Sequence, residues 1–253
     1  MKKTLTALAL ASGMLASGAF AAPVKPTVVL VHGAFADASS WNGVTRILEK
    51  DGYSVIAAAN PLRGVASDGA YIGNIVGSVK GPVVLVGHSY GGNVISAAAS
   101  DRPNVKALVY VAAFAPDAGQ STGDQVAAHP APPGLGGVTP FGDGYLKMSV
   151  ESWINNVAQD LAEEDARVLA TVQTPLGLST FSDKVSTPAW ADRPSWYIVS
   201  RDDRAVSVEL QRALASRLKA RTTELSSSHM SLLSLPRAVA EIIGDAVNEV
   251  STA

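Results

Sequence analysis

Apolar and β-branched runs recur along the chain with room for one helix between most of them. Thr27–Val31, Tyr53–Ala58, Pro82–Val86, Ala107–Val111 and Ser195–Val199 are such runs, and Thr222–Leu225 is a last short one. Most lack strict polar alternation, the pattern of strands buried on both faces. The intervening segments carry helical periodicity. Trp41, Val44, Ile47 and Leu48 fall on one face of a helix that Asp51-Gly52 closes. Weaker helical patterns span Asp68–Val79 and Asn93–Ala99, another runs over Val208–Leu218, and Pro236 opens a C-terminal helix through Ile243. Strands alternating with helices predict an α/β fold, a doubly wound and mostly parallel sheet covered on both faces.

One segment breaks the rhythm. From about residue 116 to 194 no strand–helix–strand period is present. Residues 116–146 are rich in Gly, Pro, Ala and Asp, and an amphipathic stretch follows from Val150 to about Val172. Trp153, Ile154, Val157, Leu161, Val168 and Leu169 give that stretch an apolar face, which predicts a helical cap insertion over the sheet. The first residues form a different unit. Lys2 and Lys3 precede an apolar stretch, and Ala19-Phe20-Ala21 supplies a small-x-small cleavage pattern. Residues 1–21 therefore read as a signal peptide, with Ala22 opening a mature domain of residues 22–253 that is exported to the periplasm or medium. The apolar run is too short and too weakly hydrophobic for a stable membrane anchor.

Composition narrows the chemistry. The 253 residues are 47% hydrophobic and 17% charged, enough for one large core. A net charge of −2 offers no electrostatic attraction for nucleic acid or an anionic membrane surface. Without any cysteine, the chain has no disulfide, thiol nucleophile or thiolate metal site.

The run at 82–86 feeds into Gly87-His88-Ser89-Tyr90-Gly91-Gly92, a Gly-x-Ser-x-Gly pattern between a strand and a helix. A serine on so tight a turn is held in a strained conformation with its hydroxyl pushed out of the sheet, and Gly87 and Gly91 avoid a Cβ collision across the turn. The following helix directs its positive end at the serine. The bland alternative, a serine that only caps a helix, leaves the hydroxyl without a partner base. Four histidines could supply one. His88 sits inside the turn and is expected to point elsewhere, His32 ends the first strand, and His129 lies in the Pro-rich insertion. His229, in Ser226-Ser227-Ser228-His229-Met230 after the last strand, is where such a base belongs. Its acid follows the Ser195–Val199 strand as Asp202 or Asp203, with Asp117 a weaker third candidate, giving the chain order Ser, Asp, His. The oxyanion hole would combine the Tyr90 N–H with that of Ala34, in His32-Gly33-Ala34-Phe35 after the first strand.

Together these segments resemble the α/β-hydrolase superfamily, and within it the small esterase and hydroxynitrile-lyase branch that includes plant methyl-ester hydrolases and bacterial relatives. The matching pieces are Val31 to Ala34 with Trp41, Val86 to Gly92, Tyr197 to Arg204, and Ser228 to Met230. In that branch the acid immediately precedes a basic residue, which implies Asp203, before Arg204. Its lyases carry a Thr and a Lys where this chain has Gly33 and Met230, so the resemblance implies the esterase side. The expected protein is a serine carboxylic-ester hydrolase with Ser89, His229 and Asp203 as its triad. It would use no metal and no organic cofactor, its partner being a small to medium uncharged ester. Phe35, Trp153 and Met230 are the expected substrate contacts. A cofactor-free perhydrolase or haloperoxidase would use the same serine; a non-catalytic binding protein would not need every triad position filled.

Overall fold

The computed structural model describes residues 25–251, so the predicted signal peptide and the Ala22 start lie outside the described residues. In chain order the body begins with β1 (Thr27–Val31), α1 (Asn42–Lys50), β2 (Val55–Ala58), α2 (Val65–Ser78), β3 (Val83–His88), α3 (Gly91–Ala98) and β4 (Val105–Val111). An insertion follows: β5 (Gln120–Ser121), α4 (Thr122–Ala127), β6 (Val138–Pro140), β7 (Tyr145–Met148), α5 (Val150–Ser152), α6 (Glu163–Thr171), β8 (Leu176–Gly177) and β9 (Lys184–Val185). The body resumes with β10 (Ser195–Ser200), α7 (Val208–Arg217), β11 (Arg221–Leu225), α8 (Ser231–Ser234) and α9 (Pro236–Ser251).

Six strands form one sheet in the order β11-β10-β4-β3-β1-β2, and every pairing is parallel. The apolar runs explain the arrangement. Val28–Val31, Val83–Val86 and Leu108–Val111 are completely buried, as strands covered on both sides must be. Helix α3 packs on β1, β3 and β4, and α2 packs on α3. Helix α9 lies on β3, β4 and β10 and carries α1. At one edge, β11 offers Arg221, Thr222, Thr223 and Glu224 to solvent, polar residues suited to an edge strand.

Several boundaries differ from the sequence expectation. Helix α2 begins at Val65 rather than Asp68, because Asp68 reaches back from the first turn to the Arg63 and Gly64 N–H groups. Helix α9 runs on to Ser251, since Ala246 and Val247 continue the buried stripe of Val239, Ala240 and Ile243.

The insertion between β4 and β10 carries the expected helices, α4, α5 and α6, but is not helical throughout. It contains a three-stranded antiparallel sheet β6-β7-β8 and a small β5-β9 pair. Nor is the stretch from Val150 one helix. A three-residue turn of α5 passes into a π-helical segment, Trp153–Val157, and the chain breaks before α6. That break resets the helical phase. Small Ala166 and Ala170 become the buried face of α6, while Val168, expected inside, is 59% exposed.

Candidate active site

The site assembles at the C-terminal ends of β1, β3, β10 and β11, around the point where the chain leaves the neighbouring strands β1 and β3 toward opposite faces of the sheet. Ser89 follows β3 directly and has φ 53, a left-handed conformation that costs a non-glycine residue about 1–3 kcal/mol. Neighbouring backbone holds it there. The Ser89 N–H donates to the Val111 carbonyl at 3.1 Å, and the Ser89 carbonyl accepts from Gly92 at 3.0 Å and Phe114 at 3.1 Å. A Cβ at Gly87 would come within 2.6 Å of the Gly91 carbonyl oxygen, so the turn can close only on glycine.

His229 sits in the loop between β11 and α8. Its Nδ1 lies 2.7 Å from Asp203 Oδ2, with both side chains buried. Asp203 is held from every side. Oδ1 accepts the Ala205 N–H at 2.7 Å and the Val206 N–H at 2.9 Å, and Oδ2 also accepts from Gln211 Nε2 at 2.8 Å. A carboxylate serving only as acceptor leaves the proton on His229 Nδ1 and makes Nε2 the basic nitrogen. Ser89 and His229 come together in the wall of one cavity. No Ser89–His229 hydrogen bond is formed among the described residues; such bonds commonly tighten only with substrate bound.

The other acids go elsewhere. Asp202 is exposed, its backbone N–H donating to Ser227 at 3.0 Å and its carbonyl accepting from Gln159 Nε2 at 2.7 Å. Asp117 pairs with Arg217 Nη1 at 2.6 Å.

Ala34, Phe35 and Tyr90 line the same cavity as Ser89. Neither the Ala34 nor the Tyr90 N–H donates to an acceptor among the described residues, which leaves both available to an oxyanion. A Cβ at Gly33 would meet Ser89 Cβ at 2.6 Å and His88 Nδ1 at 2.9 Å, so only glycine lets this loop approach the serine so closely. His32 serves the loop's architecture. Its Nδ1 donates to the Gly33 carbonyl at 3.0 Å and its Nε2 accepts the Asn60 N–H at 2.9 Å; burial lowers its pKa and keeps it neutral.

His88 does not point away from the site, as its place inside the turn suggests. Its Nε2 donates to the His229 carbonyl at 3.0 Å, and the two rings lie 4.6 Å apart. Burial, and then the neighbouring His229, push its pKa well below the ordinary value, so it supports the base without charging beside it. A glycine–histidine–serine motif carries no local signal of this role, because the partner is remote in sequence. His129 is half-buried beside Pro130 and Pro132 in a separate small cavity.

Of the three expected substrate contacts, Phe35 and Trp153 line the cavity. Met230 does not. It begins the turn into α8 and is packed in the core, 1% exposed. A position next to His229 in sequence thus faces inward, and the insertion supplies Val138, Met148, Val157, Leu176 and Phe181 instead. Among the described residues that line the cavity none is an Asp, Glu, Lys or Arg, and Thr122 and Thr180 join Ser89 as hydroxyl-bearing residues, the Tyr90 hydroxyl being bonded to Asp68. Among the described residues no three metal-binding side chains converge, and no helix is long and apolar enough to cross a membrane.

Comparison with known proteins gives a consistent picture. A family model described as "Alpha/beta hydrolase family" matches residues 28–242. The chain is 27% identical to Methylesterase 8 of Arabidopsis thaliana over 214 residues, 75% of this chain and 76% of that one. It is 34% identical to the carbendazim hydrolyzing esterase of Nocardioides sp. (strain SG-4G) over 107 residues, 37% of this chain and 44% of that protein. The crystal structure of polyneuridine aldehyde esterase superposes with a TM-score of 0.76 at 22% identity, covering 88% of this chain and 99% of that one, a likeness of fold.

Proposed function

The chain belongs to the alpha/beta hydrolase family, and from that premise we propose that it is an exported serine carboxylic-ester hydrolase acting on small to medium uncharged esters. One observation carries this reading. The buried Asp203–His229 pair shares a cavity with a serine held at φ 53. Ser89 Oγ attacks the ester carbonyl while His229 Nε2 takes its proton, and Asp203 stabilises the imidazolium. The Ala34 and Tyr90 N–H groups receive the charge that develops on the carbonyl oxygen. Collapse of the tetrahedral intermediate expels the alcohol, protonated by His229. Water, deprotonated by the same histidine, then releases the acid and restores Ser89.

The esterase-named relatives support the class of reaction. The uncharged cavity wall supports an uncharged substrate, since it offers no ion to pair with a charged one. Gly33 speaks against cyanohydrin lyase chemistry. The Thr found there in such lyases would place its Cβ within 2.6 Å of Ser89 Cβ, and Met230 offers no cation for cyanide. Export rests on Lys2, Lys3 and the Ala19-Phe20-Ala21 pattern.

The test uses protein recovered from cell fractions and a series of p-nitrophenyl esters of increasing chain length. Turnover is expected in wild type, with a loss approaching the roughly 10⁶-fold seen for the nucleophile of a serine protease in Ser89→Ala. A mutant keeping a tenth of the activity overturns the assignment. The mass of the exported protein is expected to begin at Ala22; an intact Met1 end on cytoplasmic protein overturns the export reading.

A further inference from the structure

We propose that Asn60 and Asp68 are positioning residues that hold the two halves of the oxyanion hole in register, an inference that rests on the hydrolase reading above. The two donors belong to segments far apart in sequence. Ala34 lies in the loop after β1, and Tyr90 lies at the turn after β3. Both are tied to a single stretch of chain, residues 60–68, that leads from β2 into α2.

Asn60 grips the first half. Its backbone N–H donates to His32 Nε2 at 2.9 Å, and its side-chain Nδ2 donates to the His32 carbonyl at 3.0 Å. His32 Nδ1 in turn donates to the Gly33 carbonyl at 3.0 Å. The peptide units immediately before Ala34 are therefore fixed from both sides, and Asn60 itself is 3% exposed.

Asp68 grips the second half. It has no exposed surface. Its carboxylate accepts the Arg63 N–H through both oxygens at 3.1 Å, the Gly64 N–H at 3.4 Å and the Tyr90 hydroxyl at 2.8 Å. Burial, and then the charge on Asp68, push the Tyr90 phenol far up, so it remains a protonated donor. Starting α2 does not by itself account for this arrangement. Asp183 Oδ2 already accepts the Val65 N–H at 2.9 Å, and no cation pairs with Asp68 among the described residues. A carboxylate buried without a counter-ion is costly. What this one secures, beyond the helix start, is the residue that follows the nucleophile.

The segment is itself rigid. Leu62 is completely buried at φ 58, and its carbonyl accepts the Gly177 N–H at 2.8 Å. Asn60 and Asp68 are thus two ends of one brace, each bonded to one donor segment. Oxyanion donors act on charge that appears only in the transition state, so a small misplacement lowers kcat and leaves substrate binding nearly unchanged.

The test compares Asn60→Ala, Tyr90→Phe, Asp68→Asn and the Tyr90→Phe/Asp68→Asn double variant with wild type. Tyr90→Phe keeps the ring and the backbone N–H and removes only the bond to Asp68. Kinetics on a p-nitrophenyl ester are read beside inhibition by a trifluoromethyl ketone, which forms a tetrahedral oxyanion on the serine, and by the product alcohol, which does not. For each single variant kcat is expected to fall about 10- to 100-fold, with KM within about threefold. Affinity for the ketone should fall in parallel while affinity for the alcohol holds, and the double variant should be no worse than its weaker parent. If folded Asn60→Ala and Tyr90→Phe keep kcat within about twofold of wild type, or if ketone and alcohol affinities fall together, the brace is rejected. Those two variants carry the test should Asp68→Asn fail to fold. Ser89-dependent turnover with undisturbed variants rejects the brace alone; turnover indifferent to Ser89→Ala rejects the hydrolase reading and the brace with it.

Discussion

Adjacent aspartates separate cleanly once burial is known. Asp203 has four N–H groups around its carboxylate, His229 Nδ1 included, whereas the Asp202 side chain is turned to solvent. Asp203→Asn is expected to cost about 10⁴-fold in kcat, by analogy with a triad whose histidine is left in the wrong tautomer. Asp202→Asn should stay within about twofold. Purified variants assayed side by side check this, and equal losses or the reverse order would show that the acid is misassigned. Both candidates were visible in the sequence, since a strand end followed by two acids limits the choice to neighbours. The approach of His88 to the His229 carbonyl was not, because 141 residues separate the partners.

At the scale of elements, the body of the fold was legible and the insertion was not. Buried parallel strands need continuous apolar runs, and β1, β3, β4 and β10 write them directly. In the insertion, two- to four-residue strands carry too little pattern to be read, and the break after Val157 defeats a single helical phase. Trp153 nevertheless lies in the cavity wall, on the π-helical turn. Trp153→Ala is expected to shift the ratio of kcat/KM for long against short acyl esters at least tenfold, because one methylene in such a wall is worth about 1–3 kcal/mol. A uniform fall for all esters with a lower melting temperature would instead mark Trp153 as packing that holds the insertion on the body.

For the molecule as a whole, two of the buried histidines, His32 and His88, link stability to pH. Burial depresses both His32 and His88 below the ordinary value of 6.5. Below that pH the unfolded chain takes up protons that the folded chain refuses. Their contribution is therefore complete above about pH 6.5 and is lost progressively as the pH falls toward the folded-state values. Each group can lower stability by up to about 1.4 kcal/mol per pH unit in that window. The melting temperature is expected to fall between pH 7.5 and 5, and to fall less steeply in His88→Gln, whose amide can still donate to the His229 carbonyl. An unchanged slope in that variant would show that His88 does not drive the loss.

The sequence alone determined the parallel sheet, the strained serine turn, the histidine after the last strand and the pair of acids before it. Each is a local matter of apolar runs, glycine positions and chain order, and local chemistry is written in consecutive residues. Only the tertiary structure decided that Met230 faces the core and that the insertion is part sheet, and it seats Asp203, the acid the family resemblance implies, against His229. It alone brought Asn60 to His32 and Asp68 to Tyr90. Those outcomes depend on which segments pack together across the ends of the strands, where a side chain one position off in register points into the core or into solvent.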